Sequence, residues 1–352
     1  MKKRHLLSAD LIRSLAIIGV LLSHITIAVS GRPDFFNGIS WWFSVILGTL
    51  SRAAIPFFIL ISGFFILSKT ESFKTSLKRN FNRIIAPLVV WVLIYTYILG
   101  GTSILSALKS LPEQIYQTNV FHLYFLEIMI GIYVVSSIFA SYLKNISKKS
   151  QKFLVLFFLL LGGIQASLQF IFGECADNLF TIWVPYVGLF LAGSVFGRSN
   201  IKRVKLLIII SLSFFLLTLT VNYLHAAFYF QTNVNLFSAN GCISNYPNYF
   251  LSFNVMIMSI AMFLVLLKLN LKRLKHTFLE KVIVLIAGCS YGIFLTHLLI
   301  LQLLDSKFHL FDKIAPVWLY ILIKFMVVFL LSLVLTLIIK KIPVIRKIIG
   351  EK

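Results

Sequence analysis

Apolar runs of about 20 residues, long enough to cross a bilayer core as a helix, recur ten times. They lie near 9 to 30, 41 to 67, 84 to 100, 120 to 143, 152 to 172, 180 to 197, 204 to 224, 249 to 267, 282 to 303 and 315 to 339. The intervening segments are short and polar, and their charge alternates. With the N-terminal "MKKRH" in the cytoplasm, 26 of the 33 lysines and arginines fall on the cytoplasmic side, and only Arg32, Lys109, Lys307 and Lys313 on the other. Cytoplasmic loops carry such an excess of Lys and Arg. The pattern therefore predicts an all-α polytopic membrane protein with about ten transmembrane helices and both termini cytoplasmic. A single domain over 1–352 is expected, because the longest connections, near 101 to 119 and 225 to 248, are too short to build a separate core.

Composition agrees: 59% of the 352 residues are hydrophobic and 12% are charged, outside the range of ordinary soluble domains. The formal charge of +22 would elsewhere suggest nucleic acid. Here it follows the topology, so no nucleic-acid partner is implied. The first span exceeds a signal-peptide apolar region, contains Arg13 and lacks a small-x-small cleavage site, which makes it a resident helix. Of the three cysteines, Cys289 falls in a span and reads as packing. Cys175 and Cys242 fall in outside loops, where an oxidising compartment would permit a disulfide.

The chemistry begins in the first span, "DLIRSLAIIGVLLSHIT". Arg13 and His24 are eleven residues apart, about three turns, so they share a helix face roughly 16 Å apart along the axis. Asp10 lies one turn before Arg13. Arg13 is either a snorkelling cation or part of a charged mouth. His24 needs a cavity or a partner, as intramembrane ionisable groups do, and a structural hydrogen bond is the alternative to a chemical role. By helix depth, His24, His297 and Glu127 occupy one layer in the outer half, with Arg52 level or slightly deeper. Glu127 is the only acid well inside a span. It is expected either to orient His24 or to pair with Arg52, and the cost of unpaired charge in lipid favours Arg52. His122 and His225, at outer helix ends, read as interfacial or structural.

Further motifs stand in order along the chain: "SRAAIPFFILISGFFIL" at 51 to 67, "KRNFNRIIAP" at 78 to 87, "HLYFLEIMIGIY" at 122 to 133 and "CSYGIFLTH" at 289 to 297. With the arginine, ten residues, then histidine of the first span, this succession resembles the acyltransferase-3 family of membrane O-acyltransferases over nearly the whole chain. Two departures stand out. Arg79 and Arg83 have three residues between them where the family's arginines are commonly closer, and Tyr124 replaces the usual tryptophan.

The resemblance implies a cytoplasmic acyl-coenzyme A donor, most simply acetyl-coenzyme A, with no permanently bound cofactor and no metal. It also implies a cell-surface polysaccharide or lipid-linked glycan as acceptor, in a bacterial inner membrane whose lipids surround the chain. Guanidinium groups suit the donor's phosphates, which makes Arg13, Arg79 and Arg83 the candidates, with positive-inside residues as the plain alternative for the latter two. His24 fits the general base that takes the acceptor hydroxyl's proton, and an acyl-histidine relay is also open. Ser62, Tyr291 and His297 are conceivable donors to the oxyanion. The uncharged outside stretch 228 to 250 suits either sugars or the membrane interface. A carrier or exporter of glycan or acyl groups is the competing function, which has no need of the arginine and histidine motifs.

Overall fold

The computed structural model describes residues 6–68, 74, 81–118, 121–173, 178–232, 245–308, 316–343 and 345–351. Among these residues there are helices and turns but no strand. We number the α-helices in chain order: α1 Leu7–Ser30, α2 Ile39–Ser51, α3 Ala54–Ile66, α4 Ala86–Ile98, α5 Ile104–Tyr116, α6 Tyr124–Asn145, α7 Lys148–Phe172, α8 Val187–Val195, α9 Val204–Thr232, α10 Phe253–Lys268, α11 Phe278–Phe308 and α12 Val317–Lys341.

Eight segments are long and apolar enough to cross a membrane, and Arg83–Ile98 and Val184–Val195 are shorter apolar helices. Each of the ten expected spans coincides with one of these ten segments. The protein is an all-α polytopic membrane protein. The apolar surface left exposed fits lipid contact: α9 turns Leu206, Ile208, Ile209, Leu212, Leu216 and Leu217 outward.

One helix was not expected. The segment 101 to 119, read as a loop, contains α5, capped by the Ser103 hydroxyl, which accepts from the Ser106 N–H at 3.1 Å. Its Ile104, Leu105 and Leu108 are exposed, as in an amphipathic helix lying in a membrane interface. A Thr96 to Gln114 hydrogen bond of 2.7 Å ties it to α4.

Helix α1 is the centre, packed against α2, α3, α10, α11 and α12. Its buried face mixes Ile, Leu and Val with small and polar residues such as Ala16, Gly19, Ser14 and Thr26, which are favoured in close transmembrane packing. The Ser14 hydroxyl donates to the Ile283 carbonyl at 2.9 Å and that of Ser44 to the Thr26 carbonyl at 2.6 Å. Near Gly19, a β-carbon would stand 3.0 Å from the Ala54 Cβ and 3.6 Å from the Ser51 Cα, so the break between α2 and α3 lies hard against α1. Pro56 accounts for the break. It has no N–H for the carbonyl four residues earlier, which belongs to Arg52. The amides of Arg52 and Ala53 bond back three residues, to Thr49 and Leu50.

Candidate functional site: a histidine cluster and a basic mouth

Three imidazoles meet around α1. The His24 ring lies 5.4 Å from that of His297 and 6.5 Å from that of His122, and the last two are 4.8 Å apart. His24 comes from the end of the third quarter of α1 and His297 from the middle part of α11. His122 comes from the single turn Phe121–Leu123 that precedes α6.

The Phe294 carbonyl organises two of them. It accepts from His122 Nε2 at 2.9 Å and from His297 Nδ1 at 2.7 Å, and His297 Nδ1 also lies 3.2 Å from the Ile293 carbonyl. A carbonyl only accepts, so these nitrogens carry the protons. The opposite nitrogens, His122 Nδ1 and His297 Nε2, are buried without a hydrogen-bond partner. His297 therefore has no free N–H for an oxyanion, and in this tautomer it is an acceptor. His24 differs: its ring is partly open, and it makes no hydrogen bond to described residues. His24 is thus the member of the cluster exposed to an incoming group.

A tyrosine shapes α11 at this level. The Tyr95 hydroxyl donates to the Leu295 carbonyl at 3.0 Å and accepts from the Leu299 N–H at 3.0 Å. It stands in the helical ladder between two groups that would otherwise bond each other, a recognised cause of local helix distortion. Removing it with Tyr95→Phe lets the ladder close and shifts His297. We expect turnover to fall about tenfold, while the unfolding transition moves by only the ~1 kcal/mol of a typical hydrogen bond. Parallel measurement of rate and thermal unfolding checks this, and equal losses in both would contradict it.

Glu127 does not behave as expected. It is fully buried, and neither carboxylate oxygen has a hydrogen-bond partner. It pairs with neither Arg52 nor His24. The Arg52 guanidinium instead interacts electrostatically with His24 and Tyr124, and its Nε is buried without a partner. The depths read for His24 and His297 agree with the contact of their rings, whereas the direction in which Glu127 and Arg52 face is a matter of packing.

At the basic end of the bundle, Arg13 Nη1 lies 3.4 Å from Asp10 Oδ1, and the Arg13 guanidinium rests over the Phe65 ring at 5.1 Å. Arg83 is near enough to act electrostatically on both Arg13 and Tyr291. It sits in a π-helical turn, Phe81–Ile85, a departure from regular helix that is frequent at functional sites. The Tyr291 hydroxyl donates to the Arg83 carbonyl at 3.3 Å. Tyr291 therefore belongs to this mouth: along α11 it is about 9 Å from His297. Ser62 is similarly placed, about 15 Å along the helix from Arg52 and near Phe65. Neither can donate to an oxyanion at His24. Arg79, Cys175 and Cys242 lie outside the described residues.

The C-terminal turn closes over the same end. The Trp91 indole donates to the Ile348 carbonyl at 2.9 Å, and Lys340 pairs with Glu351 at 2.8 Å. Gly350 takes a left-handed φ of 69°, and a β-carbon there would lie 2.8 Å from the Arg83 carbonyl oxygen.

His122, read from its place at an outer helix end as interfacial or structural, is buried and hydrogen-bonded to the Phe294 carbonyl, and its ring stands in the cluster with His24 and His297. His225, given the same interfacial reading, stacks on Tyr229 at 6.2 Å. Among the described residues no group of three His, Cys, Asp or Glu is arranged to hold a metal ion.

The fold is thus an α-helical membrane bundle in which a half-buried histidine belongs to a cluster of three, with Arg13 three turns away on the same helix. The family model of the acyltransferase-3 family, described as an acyltransferase domain, matches residues 6–337. The chain belongs to this family, whose activity is acyl transfer. The C-terminal turn over Arg83 lies beyond the matched region. No curated protein and no solved structure matches the chain.

Proposed function

We propose that the protein transfers an acyl group, most simply acetyl, from cytoplasmic acyl-coenzyme A to a hydroxyl of a cell-surface polysaccharide or its lipid-linked precursor in a bacterial inner membrane. The observation that carries this is His24: partly open, without a hydrogen bond to described residues, and on the same face of α1 as Arg13. The concentration of Lys and Arg supports an orientation with both termini and the Arg13 end in the cytoplasm.

In this reading Arg13 and Arg83, with Arg79, hold the phosphates of the donor, since planar guanidinium groups pair with phosphate oxygens in two-pronged fashion. Asp10 is the carboxylate that Arg13 contacts there. An extended pantetheine arm covers the roughly 16 Å from Arg13 to His24. The acceptor hydroxyl then attacks the thioester carbonyl as its proton passes to the free imidazole nitrogen of His24. Collapse of the tetrahedral intermediate reforms the carbonyl and breaks the carbon–sulfur bond, and the departing thiolate takes the proton back from His24.

The test is structural analysis of surface glycans from cells with and without the gene. Loss of an ester-linked acyl group in its absence is the expected result and identifies acceptor and acyl group together. Identical glycans from both would overturn the proposal.

A further inference from the structure

We infer that Arg52 is the group that stabilises the tetrahedral oxyanion at His24. The inference rests on the transfer reading above and assigns that site a second catalytic residue.

Arg52 sits in the outer half of its transmembrane segment, where a charge is expensive unless paired or functional. Among the described residues its guanidinium has no ion pair and no hydrogen bond, and Glu127, the one acid at its depth, leaves it alone. Its charge lies within electrostatic range of the His24 ring and the Tyr124 hydroxyl. The C-terminal dipole of α2, which Arg52 caps, offsets part of the cost but does not supply a full counter-charge.

The backbone points the same way. Pro56 breaks the helix at Arg52, and irregular backbone at membrane depth is tolerated where it is buried in protein or lines a cavity. The break is pressed against α1 at Gly19, five residues or about 8 Å below His24, a distance a long arginine side chain reaches. The residues otherwise eligible as oxyanion donors are engaged or remote: His297 gives its N–H to the Phe294 carbonyl, while Ser62 and Tyr291 lie toward the basic end. Tyr124 lies within electrostatic range of Arg52 and Tyr249, makes no hydrogen bond to described residues, and stays beside Arg52 as a neutral donor to the same oxyanion.

The chemistry needs such a cation. As the acceptor oxygen bonds to the thioester carbon, the carbonyl electron pair moves onto oxygen and a full negative charge appears in a site shielded from water. A fixed donor already in place is worth about 10²–10³ in turnover. A cation with no resident anion is matched to a charge present only in the transition state, which raises turnover without tightening substrate binding.

The experiment compares purified full-length wild type, Arg52→Gln, Arg52→Lys, Arg52→Ala and His24→Ala. The readouts are label transfer from acetyl-coenzyme A into the glycan fraction of cells lacking the protein, and thermal unfolding. Arg52→Gln is expected to lose about 10²–10³ in kcat, with KM for acetyl-coenzyme A within about threefold and an unfolding midpoint unchanged or raised, because an uncompensated charge is gone. Arg52→Lys should retain part of the rate, and added guanidinium ion should restore part of it to Arg52→Ala. Undiminished kcat in Arg52→Gln beside an inactive His24→Ala overturns the role of Arg52 and leaves the transfer reading standing. A raised acceptor KM at normal kcat assigns Arg52 to acceptor binding and overturns the inference. So does lost activity with a lowered unfolding midpoint and no guanidinium rescue, which would mark a structural role. Activity in His24→Ala defeats the reading beneath it.

Discussion

His24→Ala is expected to reduce acyl transfer by about 10³-fold or more, within the range general acid–base catalysis contributes, while the protein still inserts and accumulates. The two halves of this expectation come from different observations. The loss of rate follows because His122 and His297 cannot substitute: each holds its proton against the Phe294 carbonyl, and their remaining nitrogens are buried. The intact protein level follows because the His24 ring is partly open and makes no hydrogen bond to described residues, so its removal strands no buried partner. Arg13→Ala should behave differently, raising KM for acyl-coenzyme A more than it lowers kcat, because a cation that holds the donor equally in ground and transition states contributes uniform binding. Immunoblotting for protein level and transfer rates over a range of donor concentrations separate the cases. Full transfer by a normally expressed His24→Ala protein would end its role as base.

Gly63→Ala is expected to abolish accumulation of folded protein. Helices α3 and α8 cross at two glycines: a β-carbon on Gly63 would stand 1.8 Å from the Phe190 carbonyl oxygen, and one on Gly193 1.9 Å from that of Leu60. Both obstacles are backbone, so no side chain can rotate away, and the helices must separate along their length. Overpacking of this kind costs 1–3 kcal/mol or more, and here the contact also holds the segment that carries Arg52. Gly288→Ala is the control. Nothing lies within 4 Å of a β-carbon there, and alanine favours a helix interior by about 1 kcal/mol over glycine. Thermal unfolding and protein level should fall sharply in the first variant and hold or improve in the second. Equal behaviour would mean that the crossing is looser than described.

The eight segments long enough to cross a membrane and the two shorter apolar helices were all legible in the sequence, because an apolar run is a local property of about 20 residues. Depth was legible too, since a fixed rise per residue converts sequence position into height, and it placed His24 and His297 at the level where they meet. Arg13 and His24 could be assigned one face from their spacing alone. What no local rule supplies is the direction in which one helix faces another. Arg52 and Glu127 both lie inside apolar segments, yet the break at Pro56 and the approach of α1 at Gly19 set Arg52 within electrostatic range of His24, while α6 buries Glu127 without a hydrogen-bond partner. His122 joined the cluster because one short turn before α6 brings it to the Phe294 carbonyl on a helix 172 residues away. Ser62 and Tyr291 belong to the basic end because Tyr291 lies nearly two turns from His297 along α11 and Ser62 nearly three turns from Arg52, separations the sequence already contained but that count only once the helices are docked. The sequence determined which segments enter the membrane and at what height each charge lies; the packing of glycines, breaks and carbonyls decided which of those charges meet.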